Sequence, residues 1–248
     1  MQWADTAFVL GTRRHGESAL IVELLTRERG RHAGLVRGGQ SPRKRALLQP
    51  GNEIAASWRG RLTEHLGALD CELIEPHAAR LLDDPDRLAA LNAAVALLVL
   101  ALPEREPHAD CYASFAALLH SLESTMDWAR TYVLWECELL AAVGFGLDLT
   151  RCAVRGTNQD LAYVSPRTGR AVSRETGAPY KDRLLPLPEF LWRPDSPTAP
   201  ADIVAGLNLT RHFLLKHVLE PQGKRPPEAR ELLCDRMRRL AVSGTFML

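Results

Sequence analysis

Cysteine is scarce in this 248-residue chain. Cys71, Cys111, Cys137, Cys152 and Cys234 are odd in number, and no two stand in a C-x-x-C spacing. That excludes a disulfide framework and points to a reducing compartment, the cytoplasm. Long apolar runs are missing too. The longest, Leu88 to Leu102, is broken by Asn92 and falls short of the ~20 residues of a membrane-spanning helix. After Met1 there is neither a basic stretch nor an apolar one, so no leader is expected. No G-x-x-x-x-G-K-[ST] run occurs, which excludes a P-loop ATPase. Gly144-Phe-Gly146 lacks the third glycine of a dinucleotide loop and follows a helical pattern. Gly16-Glu-Ser18-Ala-Leu20 lacks the second glycine of G-x-S-x-G, and Ser18 opens a strand instead of following one. His212 and His217 lie five apart, off the spacing of a shared metal face. Trp128, Tyr132 and Trp135 form a stripe at helical spacing, the pattern of a bundle core. No catalytic residue and no cofactor is expected from these patterns.

Net charge is also nearly absent: 31 basic residues against 30 acidic give +1. The balance is an average of unlike segments. Residues 1–80 carry +3, 81–148 carry −8, 149–210 carry +2 and 211–248 carry +4. Between positions 27 and 61, nine cations face only Glu28 and Glu53.

Chain organisation changes near residue 80. Ala4–Thr12, Ala19–Thr26, Arg31–Val36, Asn52–Arg59 and His65–Glu75 are short strand-like runs parted by turn residues. Five such strands suit a small barrel of the OB type. Asp84-Pro85 then offers a side-chain cap followed by proline at the first helical position. Helices are expected over 87–102, 108–123, 127–143, 201–219 and 227–242, with an irregular insert at about 147–190. The fold class is α+β: an N-terminal five-stranded OB-fold barrel (1–80), then a helical domain (81–248) carrying the insert.

The cations of the barrel suit phosphate. Guanidinium forks match phosphate oxygens, and each neutralised phosphate releases counterions. The loop Arg37-Gly-Gly-Gln-Ser-Pro-Arg43-Lys44-Arg45 couples glycines, which allow close approach, to three consecutive cations. The candidate nucleic-acid-binding residues are Arg29, Arg31, Arg37, Arg43, Lys44, Arg45, Arg59 and Arg61. Arg13 and Arg14, in the first inter-strand turn, are second-tier. Sequence-tolerant single-strand binders usually add aromatic platforms. Here only Trp3, Phe8 and Trp58 are available, and the parity of Phe8 and Trp58 assigns both to the core. Backbone-dominated binding that leaves bases free to pair is therefore expected. Charge alone does not separate DNA from RNA, so a tRNA-gripping module and a protein adaptor remain alternatives.

The sequence resembles the RecO family of bacterial DNA repair proteins over essentially its whole length. Gly16-Glu-Ser-Ala-Leu-Ile-Val22, Leu25-Thr-Arg-Glu-Arg-Gly30, Arg37-Gly-Gly and Leu48-Gln-Pro-Gly51 carry the likeness in the first part. Leu139-Leu-Ala-Ala-Val-Gly-Phe-Gly-Leu147, Leu161-Ala-Tyr-Val-Ser-Pro-Arg-Thr-Gly169 and Arg183-Leu-Leu-Pro-Leu-Pro188 are similar to members of the alphaproteobacterial kind. Phe213-Leu-Leu and Pro227-Glu-Ala-Arg230 also fit. The resemblance implies a non-enzymatic recombination mediator of the RecF pathway. Such a protein binds single- and double-stranded DNA, to which the resemblance assigns the candidate cations of the barrel, and anneals complementary strands. With RecR it helps load RecA onto DNA coated by single-stranded DNA-binding protein, whose acidic C-terminal tail is a further partner. Arg211 and Lys216, flanking Phe213, Leu214 and Leu215, are the candidate contacts for that tail.

Some family members carry zinc in the insert. A structural zinc site takes four thiolate or imidazole ligands. Cys152 stands where the first pair of cysteines would begin, but position 155 is Arg155, and no cysteine or histidine occurs between Arg155 and Leu191. A metal-free insert held by turns and packing is expected.

Overall fold

The structure, a computed structural model, describes residues 1–62 and 66–243. The chain divides into two compact units, Met1–Ser124 and Thr125–Leu248. The first therefore takes in two long helices beyond residue 80.

In the first unit, strands β1 (Gln2–His15), β2 (Ala19–Thr26), β3 (Gly30–Val36), β4 (Glu53–Arg59) and β5 (Gly67–Glu75) close a barrel in the order β1-β2-β3-β5-β4. The start of the fifth run at His65 lies outside the described residues. β1 serves two neighbours: Gln2 to Phe8 pair with β4, and Ala7 to His15 pair with β2. The register shifts between Val9 and Gly11, so the bulge falls where β1 passes from one partner to the other. Inward-pointing Ala7, Val9, Leu20, Val22, Leu24, Val36, Ile54, Ala56, Trp58 and Leu69 form the core, with Leu48 closing one end. Closure depends on a pair of glycines. Gly34 of β3 lies opposite Gly67 of β5, and a Cβ on Gly67 would sit 2.4 Å from Cε2 of Trp58. Only a strand without a side chain there lets the sheet close over the indole.

Two helices not expected from the sequence interrupt the barrel region. These are α1 (Pro42–Leu47) between β3 and β4, and α2 (His77–Arg80) after β5. Then come α3 (Pro85–Ala101) and α4 (Ala109–Ser124). The Asp84 carboxylate caps α3, accepting from the backbone N–H groups of Asp86 and Arg87. Phe8 is buried but on the outer wall of the barrel, packed against Tyr112 and Phe115 of α4 at 4.8 and 5.2 Å between ring centroids.

The second unit contains α5 (Trp128–Ala142), α7 (Pro200–Phe213) and α8 (Glu228–Ser243). Its insert holds the short strands β6 (Leu161–Val164), β7 (Ala171–Ser173) and β8 (Leu185–Pro186), ordered β7-β6-β8, with α6 (Arg174–Gly177) after β7. Trp128, Tyr132 and Trp135 are buried on α5, as their spacing predicts. The helix expected to run on to Leu219 changes at Leu214 into a π-helical segment, Leu214–Leu219. Among the described residues no helix is long and apolar enough to cross a membrane.

Candidate nucleic-acid interface

The three consecutive cations lie on α1, not in a loop. Ser41 and Pro42 make the start: proline occupies the first turn, where its missing N–H costs no hydrogen bond. No acidic residue lies in the first turn, and Lys44 and Arg45 sit in the last turn, near the negative end of the backbone dipoles. Gln40 fastens the approach to this helix, its Nε2 donating to the carbonyls of Gly16 and Ala19 at 3.2 and 3.3 Å.

Grooves on either side of α1 gather cations from distant parts of the sequence. One of about 320 Å³ is lined by Arg14 of β1 and Arg45, over Leu20 and Leu48. Arg13 and Arg14 thus belong to the end of β1, paired with Ile21 and Leu20, and not to the turn. The turn is made later, at Gly16, whose φ of +61° suits glycine. A second groove, of about 990 Å³, is lined by Arg37, Lys44 and Arg59 around Trp3, Leu35, Trp58 and Leu69, with Asp70 also in its wall. Lys44 Nζ donates to the carbonyl of Arg37 at 2.9 Å, which ties α1 to the end of β3. Arg43, Arg45, Arg59 and Arg61 are exposed.

Trp3 was given no role from the sequence. It is half-buried in this groove, stacked on Trp58 with centroids 5.9 Å apart and planes 8° apart. Its odd-numbered position puts it on the inward row of β1, and the open end of the barrel leaves it partly uncovered. The Arg29 guanidinium lies 5.8 Å from the Trp3 ring centroid. His32 sets its edge against both indoles, 5.0 and 5.2 Å away. Burial, with help from Arg105 and Arg29, holds His32 below the ordinary imidazole range. It therefore adds no cation to the groove at neutral pH.

Arg31 differs from the other cations. It is half-buried, with Nη1 2.8 Å from Glu23 and 3.6 Å from Glu104, and Nε donates to the Leu102 carbonyl at 3.0 Å. Its backbone carbonyl accepts from Arg105 N–H at 2.7 Å. Arg31 fastens β3 to the segment between α3 and α4.

In the second unit, Arg211 on α7 is paired with Glu231 of α8 at 2.9 Å. Lys216 donates to the Pro166 carbonyl at 2.7 Å, a carbonyl that His212 Nε2 also approaches at 3.2 Å. Phe213 and Leu214 are buried in the helical core, and Leu215 is half-buried.

The insert places four positions together that bear on the zinc question. Ser173 N–H reaches Cys152 Sγ at 3.4 Å, and Ser173 Oγ and Thr176 Oγ1 share a hydrogen bond of 3.0 Å. Burial pushes the Cys152 thiol up. Hydrogen bonds from the N–H groups of Arg155 and Ser173, the Ser173 hydroxyl and the Val154 N–H outweigh that and bring it down to about 6. Arg155 turns away to a bidentate pair with Glu175. Cys152-x-x-Arg155 and Ser173-x-x-Thr176 thus face each other with one thiol among the four side chains. Among the described residues no three His, Cys, Asp or Glu side chains are grouped to hold a metal ion. These donors do not fit a zinc site.

Comparison with known proteins bears on the whole chain. Residues 1–77 match the family described as "Recombination protein O N terminal", and residues 82–226 match "Recombination protein O C terminal". The "DNA repair protein RecO" of Rhodospirillum rubrum is 53% identical over 249 residues, covering 98% of this chain and 99% of its own. The protein of the same name from Rhodospirillum centenum is 52% identical, covering 96% of each chain. That from Afipia carboxidovorans is 49% identical, covering 93% of each. A barrel followed by helices, matched from end to end at about half identity, makes this chain a member of the RecO family.

Proposed function

We propose that this chain is a DNA-binding recombination mediator that acts without catalysis in DNA repair. It binds single- and double-stranded DNA through the barrel and anneals complementary strands. With RecR it promotes loading of RecA onto DNA coated by single-stranded DNA-binding protein. It works in the cytoplasm, at the nucleoid. The observation that carries the reading is α1: a helix with three consecutive cations and no acid in its first turn, set between two grooves that add Arg14, Arg37 and Arg59.

The chemistry follows from that arrangement. Phosphates along a strand would meet Arg43, Lys44 and Arg45 with Arg14 on one side and Arg37 and Arg59 on the other. Arg13, Arg29 and Arg61 extend the surface. Arg31 contributes by fixing β3, since its guanidinium is already bonded. Contacts to phosphate carry no base information, and with one half-exposed indole in the groove most bases stay free to pair. A surface that holds backbones and leaves bases free lowers the charge repulsion between two strands, which is what annealing requires.

Arg211 and Lys216 are proposed to meet the acidic tail of the single-stranded DNA-binding protein. A tail carboxylate would take the place of Glu231 on Arg211. Arg211→Glu should abolish capture by that protein while the melting temperature is kept.

A strand-annealing assay with purified protein tests the whole reading. Acceleration of annealing of complementary oligonucleotides, lost when Arg43, Lys44 and Arg45 are all changed to glutamate, is the expected result. No acceleration, or preference for RNA over single-stranded DNA in direct competition, would overturn it.

A further inference from the structure

We infer that a groove in the first unit, between α1, β5 and α2, is a docking site for an extended segment of a protein partner, one carrying alternating apolar side chains and a carboxylate. The inference goes beyond the DNA reading and does not depend on it.

Three observations converge on the groove. It encloses about 830 Å³ with mostly apolar walls, including Leu47, Cys71, Leu73, Pro76, Ala79 and Leu82. Leu73 is 45% exposed and Leu82 60% exposed. Leu69, Cys71 and Leu73 form the inward row of β5, so the barrel core runs out into this groove without a cover. Inward rows are buried in a closed barrel; this one is left open at its end.

The groove is also pinned in place. Asn52, 2% exposed, donates from Nδ2 to the carbonyls of Ala46 and Leu47 at the end of α1, each at 3.1 Å. Its Oδ1 accepts from Ala78 N–H of α2 at 3.1 Å. A single buried amide holds both walls, so little ordering is left for a ligand to impose.

The third observation is a free strand edge. Among the described residues β3 pairs with β5 only at Gly67 and Ala68. From Asp70 to Glu75, among the same residues, β5 has β4 on one side alone. Cys71 N–H is met by the carboxylate of its own neighbour, Asp70, at 3.2 Å. Cys71, Glu72 and Leu73 line the groove as consecutive residues. Successive side chains of a strand point to opposite faces, so consecutive lining means that the groove runs along the strand edge. An exposed edge beside apolar pockets takes an added strand: main-chain hydrogen bonds give affinity and alternate side chains fill the pockets.

Charge fixes the rest of the ligand. Arg43 and Lys44 stand on the α1 side and Glu72 on the β5 side. A carboxylate on the segment is favoured toward α1 and opposed beside β5. Because Arg43 and Lys44 also belong to the proposed phosphate surface, partner and DNA compete for that lip.

The test is panning a phage-displayed library of random decapeptides against the full-length protein. Enriched peptides should alternate apolar with polar residues and carry aspartate or glutamate. Added peptide should slow hydrogen exchange at the Cys71 amide. Leu73→Asp, at an exposed site, should weaken peptide binding at least tenfold, with melting temperature and oligo(dT) affinity unchanged. Arg43→Glu should weaken it too, and a peptide with lysine in place of its acid should restore binding to that variant. The inference is overturned by absence of enrichment, by indifference to Leu73→Asp, by an unprotected Cys71 amide, or by an equal loss of oligo(dT) binding in Leu73→Asp.

Discussion

Arg230 of α8 grips Glu136 of α5 through two hydrogen bonds of 2.7 Å, Nε on Oε1 and Nη2 on Oε2, with neither side chain more than 1% exposed. Thr210 Oγ1 of α7 donates to the same carboxylate, and Arg230 Nη2 also donates to the Leu207 carbonyl at 2.9 Å. The pair therefore joins α5, α7 and α8. Removing one partner leaves a buried charge uncompensated, which costs about 3–5 kcal/mol. Glu136→Leu and Arg230→Met should each lower stability by that order in denaturant unfolding. The double variant should recover most of the loss. Equal losses in single and double variants would contradict this account.

The α1 cations make a prediction in salt. Changing Arg43, Lys44 and Arg45 together to glutamate should weaken oligo(dT) binding. The slope of log affinity against log salt should flatten by about 2, at about 0.7 per phosphate contact on a single strand. Arg31→Ala should behave differently. It loses the bonds to Glu23 and Leu102, so the melting temperature should fall while the salt slope stays nearly as it was. Fluorescence anisotropy at four salt concentrations separates the two behaviours.

Cys152 predicts a pH dependence. Its thiol titrates near 6 in the folded chain, against 9.0 for a free one. A lowered pKa means that the folded state holds the thiolate more firmly than the unfolded state does. The contribution is complete above about pH 9 and is lost as pH falls through 6, so stability of the second unit should rise between those values. Burial pushes Cys71 and Cys137 up to about 12, and Cys111 to about 11. Thiolate absorbance appearing near pH 6 would therefore belong to Cys152 and should vanish in Cys152→Ser.

Metal analysis of purified, untagged protein should give no zinc in stoichiometric amount. A chelator should leave the melting temperature in place. One zinc per chain, or melting lowered by the chelator, would contradict the donor set at Cys152, Arg155, Ser173 and Thr176.

Much of the scaffold was legible because its signals are local. Asp84 and Pro85 announced a helix start, and the Asp84 carboxylate does cap α3. The turn residues bounded the strands, and Ala19–Thr26 was bounded to the residue. Phe8 and Trp58 are buried as their parity implied, although Phe8 faces α4 and not the barrel interior, a partner that periodicity cannot name. What was missed depends on contacts far apart in sequence. The run Arg43-Lys44-Arg45 read as a loop because six residues are too few for a helical period to register. Arg31 looked like any other cation until Glu23, Leu102 and Glu104 surrounded it. Trp3 received no role because nothing in sequence shows where a barrel is left open.

The insert has a further consequence for when the protein can work. A zinc knuckle depends on metal supply, and its thiolates are targets of the oxidants that also damage DNA. Here Arg155 with Glu175 and Ser173 with Thr176 hold the same turns through nitrogen and oxygen, and the one thiol is buried. Such a turn cannot be emptied by starvation for metal, and burial shields its one thiolate from oxidants. The second unit should keep its shape under the stress that creates the demand for repair.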